Sequence, residues 1–228
     1  MIFRQLFDSN SSTYTYLIAD SETKTALIID PVLEQVSRDL NLLQQLGLTL
    51  KYSMETHIHA DHITGTDKLR KLTGAKGVVP QHAQVTCADC HIQDGEILSL
   101  GQLTIKAIAT PGHTDSHMAY QIGKRVFTGD ALLIRGCGRT DFQSGDAGIL
   151  FDSVTKKLFT LPDDTLVYPA HDYRGHTVST IGEEKLYNPR FVGKSRDDFI
   201  EFMANLNLPE PAKIMEAIPA NEGCGKVS

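Results

Sequence analysis

The sequence predicts an α/β fold, and three observations carry that reading. Two β-rich runs open the chain and lead into a segment with helical spacing. Later apolar runs recur, and several end on a histidine or an aspartate, as strands do when they deliver side chains to a site. The 228 residues suffice for one large core, or for a core with a small appendage.

The elements follow in order. Met1 to Phe7 goes straight into a strand-like run and lacks the long apolar core of a secretion signal. Thr13-Tyr14-Thr15-Tyr16-Leu17-Ile18 alternates polar with apolar or aromatic residues, the pattern of a half-buried strand. Thr25-Ala26-Leu27-Ile28-Ile29 is a second strand, closed by Asp30-Pro31. Val36, Leu40, Leu43 and Leu46 fall on one helical face, and Gly47 stops that helix. The next stretch is the densest in chemistry. Thr56-His57-Ile58-His59-Ala60-Asp61-His62 places three imidazoles and a carboxylate within six positions. Protonated imidazoles would repel one another there, and a buried carboxylate must be paired or bound to a metal. Imidazole with carboxylate suits zinc, iron or manganese.

More candidate ligands lie downstream. Residues 103–108 form an apolar run before the tight turn Thr110-Pro111-Gly112-His113-Thr114. Residues 125–127 run into Thr128-Gly129-Asp130, and residues 166–168 into Pro169-Ala170-His171-Asp172. The signal lies in the combination, not in any single histidine. His82, His91, His117 and His176 have no ligand partner in the pattern and are expected to be non-catalytic.

Composition excludes some classes. The net charge is −6 and no basic cluster appears, so nucleic acid is not an expected partner. No apolar run is long enough to span a bilayer, so no membrane association is expected and the compartment read from the sequence is the cytoplasm. Cysteines stand at positions 87, 90, 137 and 224. Cys87-Ala88-Asp89-Cys90-His91 has the form of a haem-attachment site, but that chemistry needs export. In a reducing compartment the four are expected as thiols, and Cys137 as a small buried side chain in the Gly136-Cys137-Gly138 turn.

In motif and in order (H-x-H-x-D-H, then G-H-T, then G-D, then P-A-H) the chain resembles the metallo-β-lactamase superfamily. The resemblance implies a four-layer αββα sandwich over one domain, residues 1–228, with a short helical and Pro-rich extension from about 188. Residues 197–206 are the helix-like part of that extension. A more local motif, Gly129-Asp130-Ala131-Leu132-Leu133-Ile134-Arg135-Gly136-Cys137-Gly138-Arg139-Thr140-Asp141-Phe142-Gln143, resembles the persulfide dioxygenases. Tyr168 to Tyr173, Asn188-Pro189-Arg190 and Pro219-Ala220-Asn221 agree with it.

That likeness implies one Fe(2+) per chain, held by His57, His113 and Asp130 as the metal-binding and catalytic set. Two imidazoles and one carboxylate leave positions open on iron, and zinc lacks the redox change an oxygenase needs. His59, Asp61, His62 and His171 would then orient the ligands, although in a dinuclear relative they would bind a second metal. The implied reaction oxidises glutathione persulfide with O2 and water to sulfite and glutathione. Glutathione carries two carboxylates, so cationic and hydrogen-bonding groups are needed near the metal; Arg139, Tyr173 and Arg174 are the candidates. Relatives are commonly dimers, which implies a homodimer. Two other readings stay open at this point. One is a glyoxalase II-like dinuclear thioester hydrolase, against which the short C-terminal region counts. The other is a non-enzymatic metal or persulfide sensor, which would rest on the extra cysteine pair.

Overall fold

The computed structural model describes residues 1–209 and 213–226. β1 (Ile2–Asp8), β2 (Thr13–Ala19) and β3 (Thr25–Ile29) pair antiparallel through short turns. β4 (Thr49–Met54), β5 (Lys76–Pro80) and β6 (Cys90–Ile92) then join in parallel. Parallel pairing needs a long return path. α1 (Val36–Gln45) supplies it between β3 and β4, and α2 (Thr66–Thr73) between β4 and β5. The result is a mixed six-stranded sheet in the order β1-β2-β3-β4-β5-β6. α1 ends as its sequence predicts, with Leu46 at the cap and Gly47 in the left-handed region. Its apolar face buries Val36 and Leu43 against Leu17, Ile28, Leu50 and Leu69. Each such side chain contributes about 1.5–3 kcal/mol on burial.

β2 differs from its half-buried expectation, since all seven of its residues are buried. Its polar positions face a buried hydrogen-bonded layer instead of solvent. Thr15 Oγ1 donates to the Asp30 carbonyl at 2.8 Å, and Thr13 Oγ1 donates to Asp61 Oδ2 at 3.2 Å. Hydroxyls satisfied in this way tolerate burial.

The second sheet comprises β7 (Ile97–Leu100), β8 (Leu103–Ala109), β9 (Met118–Ile122), β10 (Arg125–Gly129), β11 (Leu166–Pro169) and β12 (Ser179–Thr180). Its order is β12-β11-β10-β9-β8-β7. β10 and β11 are parallel because α3 (Ala147–Lys156) intervenes between them in the chain. α4 (Ile181–Tyr187) and α5 (Arg196–Ala204) follow β12. Leu132, Leu150, Val154, Val167, Phe191 and Phe199 belong to one apolar core.

The chain divides into two units. The first is Met1–Ile92, Ile97–Ile105 and Glu210–Ser228; the second is Gln93–Glu96 and Lys106–Pro209. The helix read at residues 197–206 is α5, closed at its start by a Ser195–Asp198 capping box. The Pro-rich tail is less extended than its composition suggests. It contains α6 (Ile214–Glu222), with Pro219 inside the helix. Glu210, Pro211 and Ala212 of that tail lie outside the described residues, as do Val227 and Ser228.

α6 also corrects the reading of the cysteines as four thiols. Cys87 and Cys224 form a disulfide, with Cα atoms 6.1 Å apart. The Asp67 N–H donates to the Cys224 carbonyl at 3.1 Å, which seats the segment after α6 beside Cys87. The bridge joins residues 137 positions apart, beyond the reach of a local pattern. Cys90 is a half-buried thiol and Cys137 a buried one. No helix among the described residues is long and apolar enough to cross a membrane.

Candidate metal centre

The first unit places its histidines in the loop between β4 and α2. Thr56 opens that loop and is fixed by Asp30: its N–H donates to Asp30 Oδ1 at 2.7 Å and its hydroxyl to Asp30 Oδ2 at 2.9 Å. With its own proton committed to Asp30, the Thr56 hydroxyl accepts from His57 Nδ1 at 2.9 Å. The His57 proton therefore sits on Nδ1, and Nε2 is the atom that would meet a metal. His57 is buried.

His59 is engaged differently. Its Nε2 lies 3.2 Å from Asp30 Oδ1 and 3.6 Å from Glu55 Oε2, and its Nδ1 lies 4.0 Å from Asp61 Oδ1. Burial alone would favour the neutral ring, but Asp30, Asp61 and Glu55 together raise its pKa to about 9. Burial pushes Glu55 up to about 7, although His59 and the hydroxyls of Thr64 and Thr66 oppose the rise. His62 Nδ1 donates to Asp61 Oδ2 at 3.0 Å. His59, Asp61 and His62 form one set of potential metal donors, and Asp30, Glu55 and His59 form another.

The second unit builds its site from strand ends. β8 leads into Pro111-Gly112-His113. Gly112 adopts φ 129, and a Cβ there would lie 2.2 Å from the Leu150 nitrogen, so only glycine fits. α3 sews this turn in place through Ser153 Oγ, which donates to the Pro111 carbonyl at 2.7 Å. His113 Nδ1 donates to the Arg139 carbonyl at 2.6 Å, which makes Nε2 the atom that would meet a metal. That close approach needs Gly138, where a Cβ would sit 2.7 Å from His113 Nδ1. Asp130 follows β10, and its N–H donates to His117 Nε2 at 3.0 Å. His117 Nδ1 in turn donates to Thr110 Oγ1 at 2.8 Å. His117 is thus a neutral, buried strut, consistent with its expected non-catalytic role. His117 stands only four residues after His113 in the same turn, the one signal in the sequence that could point to this role.

His113 Nε2 lies 3.5 Å from Asp130 Oδ2, and His171 Nε2 lies 3.8 Å from Asp130 Oδ1. Asp130 Oδ1 is buried and makes no hydrogen bond among the described residues. An imidazole nitrogen facing a carboxylate, beside a buried carboxylate oxygen with no hydrogen bond among the described residues, is the donor chemistry of a cation cradle. The residues present fit a metal.

A cavity of about 220 Å³ opens in the second unit beside His171, lined by Arg135, Cys137, Tyr173, Arg174 and Arg190. Tyr173 is 72 % exposed, and its ring stacks on His171 at 6.0 Å between centroids. Arg190 packs over Phe202 at 4.7 Å, and its Nη1 is buried with no hydrogen bond among the described residues. The cavity residues Arg190 and Arg135 were not among the sequence candidates. Arg139 does not line the cavity. It closes on Asp141 with Nε and Nη2 at 2.6 and 2.7 Å and donates Nη1 to the Pro209 carbonyl at 2.6 Å. Burial pushes the Cys137 thiol up to about 12, which keeps it protonated.

These features define a metal-dependent enzyme of the metallo-β-lactamase superfamily, whose family model matches residues 9–171. The fold is that superfamily's α/β sandwich with two mixed sheets. The crystal structure of ETHE1 from Myxococcus xanthus superposes with a TM-score of 0.98 at 57 % identity, covering 99 % of this chain and 100 % of that one. The human mitochondrial persulfide dioxygenase ETHE1 is 49 % identical over 228 residues, 99 % of this chain and 89 % of the human protein. A di-iron-bound protein, TTHA1623, shares the fold more distantly, with TM-score 0.69 and 25 % identity over 82 % of this chain and 98 % of that one. Within the superfamily, the chain belongs to the persulfide dioxygenase family.

Proposed function

We propose that the chain uses one Fe(2+), held by His57 Nε2, His113 Nε2 and Asp130, to oxidise glutathione persulfide with O2 and water to glutathione and sulfite. The persulfide S–S bond breaks, the terminal sulfur gains oxygen, and the electrons that reduce dioxygen come from that sulfur. Iron would supply the redox change and open coordination positions for sulfur and dioxygen. The protein's part is to hold its donors in one protonation state and to orient the substrate. The observation that carries the single-metal reading is the division among the histidines. His57 and His113 each give Nδ1 to a neutral oxygen, the Thr56 hydroxyl and the Arg139 carbonyl, whereas His59 and His62 are held by carboxylates, His59 by Asp30 and Glu55 and His62 by Asp61. His59, Asp61, His62 and His171 are then orienting groups.

Tyr173 and Arg174, with Arg190, are the groups proposed to meet glutathione, because they line the cavity beside His171. A guanidinium there pairs with a carboxylate of the tripeptide. Arg139 supports that site from outside it, by fixing the segment whose carbonyl orients His113. The homodimer and the cytoplasm are proposed on resemblance and composition. In that compartment the Cys87–Cys224 bond has to persist against the glutathione pool.

The test is oxygen uptake by purified protein given glutathione persulfide, with iron and zinc measured on the same sample. Uptake that scales with about one iron per chain supports the reading. About two zinc ions, no uptake, and hydrolysis of a glutathione thioester would transfer the chain to the dinuclear hydrolases.

A further inference from the structure

The loop that carries His57, His59 and His62 is neither strand nor helix, so something else must hold its backbone. One side chain from the far end of the sequence does so. Asn221, on α6, is buried. Its Nδ2 donates to the His59 carbonyl at 2.8 Å and to the His62 carbonyl at 2.9 Å. Its Oδ1 accepts from the Thr64 N–H at 2.8 Å. A single amide thus uses both hydrogens and its oxygen on three points of the loop. α6 is itself secured by the Cys87–Cys224 disulfide at one end and by Lys213, 3.0 Å from Glu34, at the other. The hollow behind the loop, bordered by Glu55, His59, Asn221 and Cys224, measures about 10 Å³. It has room for a water at most, so Asn221 faces backbone and not a ligand.

We propose that Asn221 is a positioning residue of the metal centre. Through the carbonyls of His59 and His62 it fixes the loop that presents His57, and so sets metal affinity without touching substrate. This rests on the reading of His57 as a metal ligand. Without the amide, two carbonyls and one N–H lose their partners, and metal binding must order a loosened loop.

Cobalt(II) is the probe. Its dissociation constant is measured by chelator competition on apo-protein, and its visible absorption reports coordination. Asn221→Ala should bind cobalt about 10–100-fold more weakly, the usual cost of losing a group that orients ligands, with an altered band and an unchanged KM for glutathione persulfide. Asn221→Ser, which keeps one hydroxyl for the loop, should fall between the two and serves if the alanine variant does not fold. Lys213→Ala loosens the start of α6 but keeps the amide, and should bind cobalt as the wild type does. A folded Asn221→Ala or Asn221→Ser variant with wild-type cobalt affinity and spectrum would overturn the proposal. So would equal weakening by Lys213→Ala, which would assign the effect to helix docking. Wild-type protein that binds cobalt but, when loaded with iron instead, takes up no oxygen with glutathione persulfide would end the persulfide reading and leave Asn221 in place.

Discussion

At His113 the Arg139 carbonyl accepts a hydrogen bond from Nδ1 and Gly138 leaves room for that approach, so Nε2 is the atom proposed to meet the metal. His113→Ala should therefore lose iron and oxygen uptake together, measured by metal analysis and an oxygen electrode; activity in the iron-free variant would exclude His113. The two arginines that the sequence offers for the substrate, Arg139 and Arg174, should separate. Arg174→Ala should raise KM with little change in melting temperature. Arg139→Ala and Asp141→Ala should instead lose similar stability, about 1 kcal/mol for such a bidentate pair, seen in urea unfolding. A large KM effect with unchanged stability for Arg139→Ala would return Arg139 to the substrate site. Cys137, buried and with its pKa pushed up to about 12, should resist alkylation in the folded protein from pH 7 to 9 and react on unfolding, read by mass spectrometry. The ligand candidates were legible because ligand residue types are rare and their spacing is local. Asn221, Asp30 and His117 were not, since each works through hydrogen bonds that no short motif records.

At the scale of elements, most strands and helices could be read because their patterns are local. α1 is an example: its apolar spacing and its terminal Gly47 both held. β2 departs from its half-buried pattern because hydroxyl-bearing residues look solvent-facing until their partners are known. α6 is hidden in a Pro-rich stretch, and its Pro219 stands inside the helix, where proline is disfavoured. The turn from β8 to His113 is the element most sensitive to a single methyl group. Gly112→Ala requires both a disfavoured φ and displacement of α3, where Leu150 backbone blocks the added carbon. It should cost more than about 3 kcal/mol and yield little folded protein, measured by circular dichroism. A folded, active Gly112→Ala enzyme would show that α3 can yield.

For the molecule as a whole, acid stability follows from carboxylates held below their usual value. Burial pushes Asp8 up, but the Ser11 N–H and hydroxyl and the Gln35 amide more than compensate. Burial likewise raises Asp94, and the Ala109 N–H and Lys157 outweigh it. The folded values are lowered, so this stabilisation is present above the ordinary carboxylate value of 3.8 and is lost as pH falls through the lowered ones. Thermal midpoints should fall below that pH, and Asp8→Asn should flatten the fall. Reduction of the disulfide should also destabilise, by roughly 2–5 kcal/mol. Its position has a topological consequence. Residues 106–209, the larger part of the second unit, lie wholly between Cys87 and Cys224, so that stretch is an arc of a covalent ring. One protease cut anywhere in the arc opens the ring but releases no fragment. A nicked sample should keep its full mass on a gel without reductant and part into two pieces once a dithiol is added.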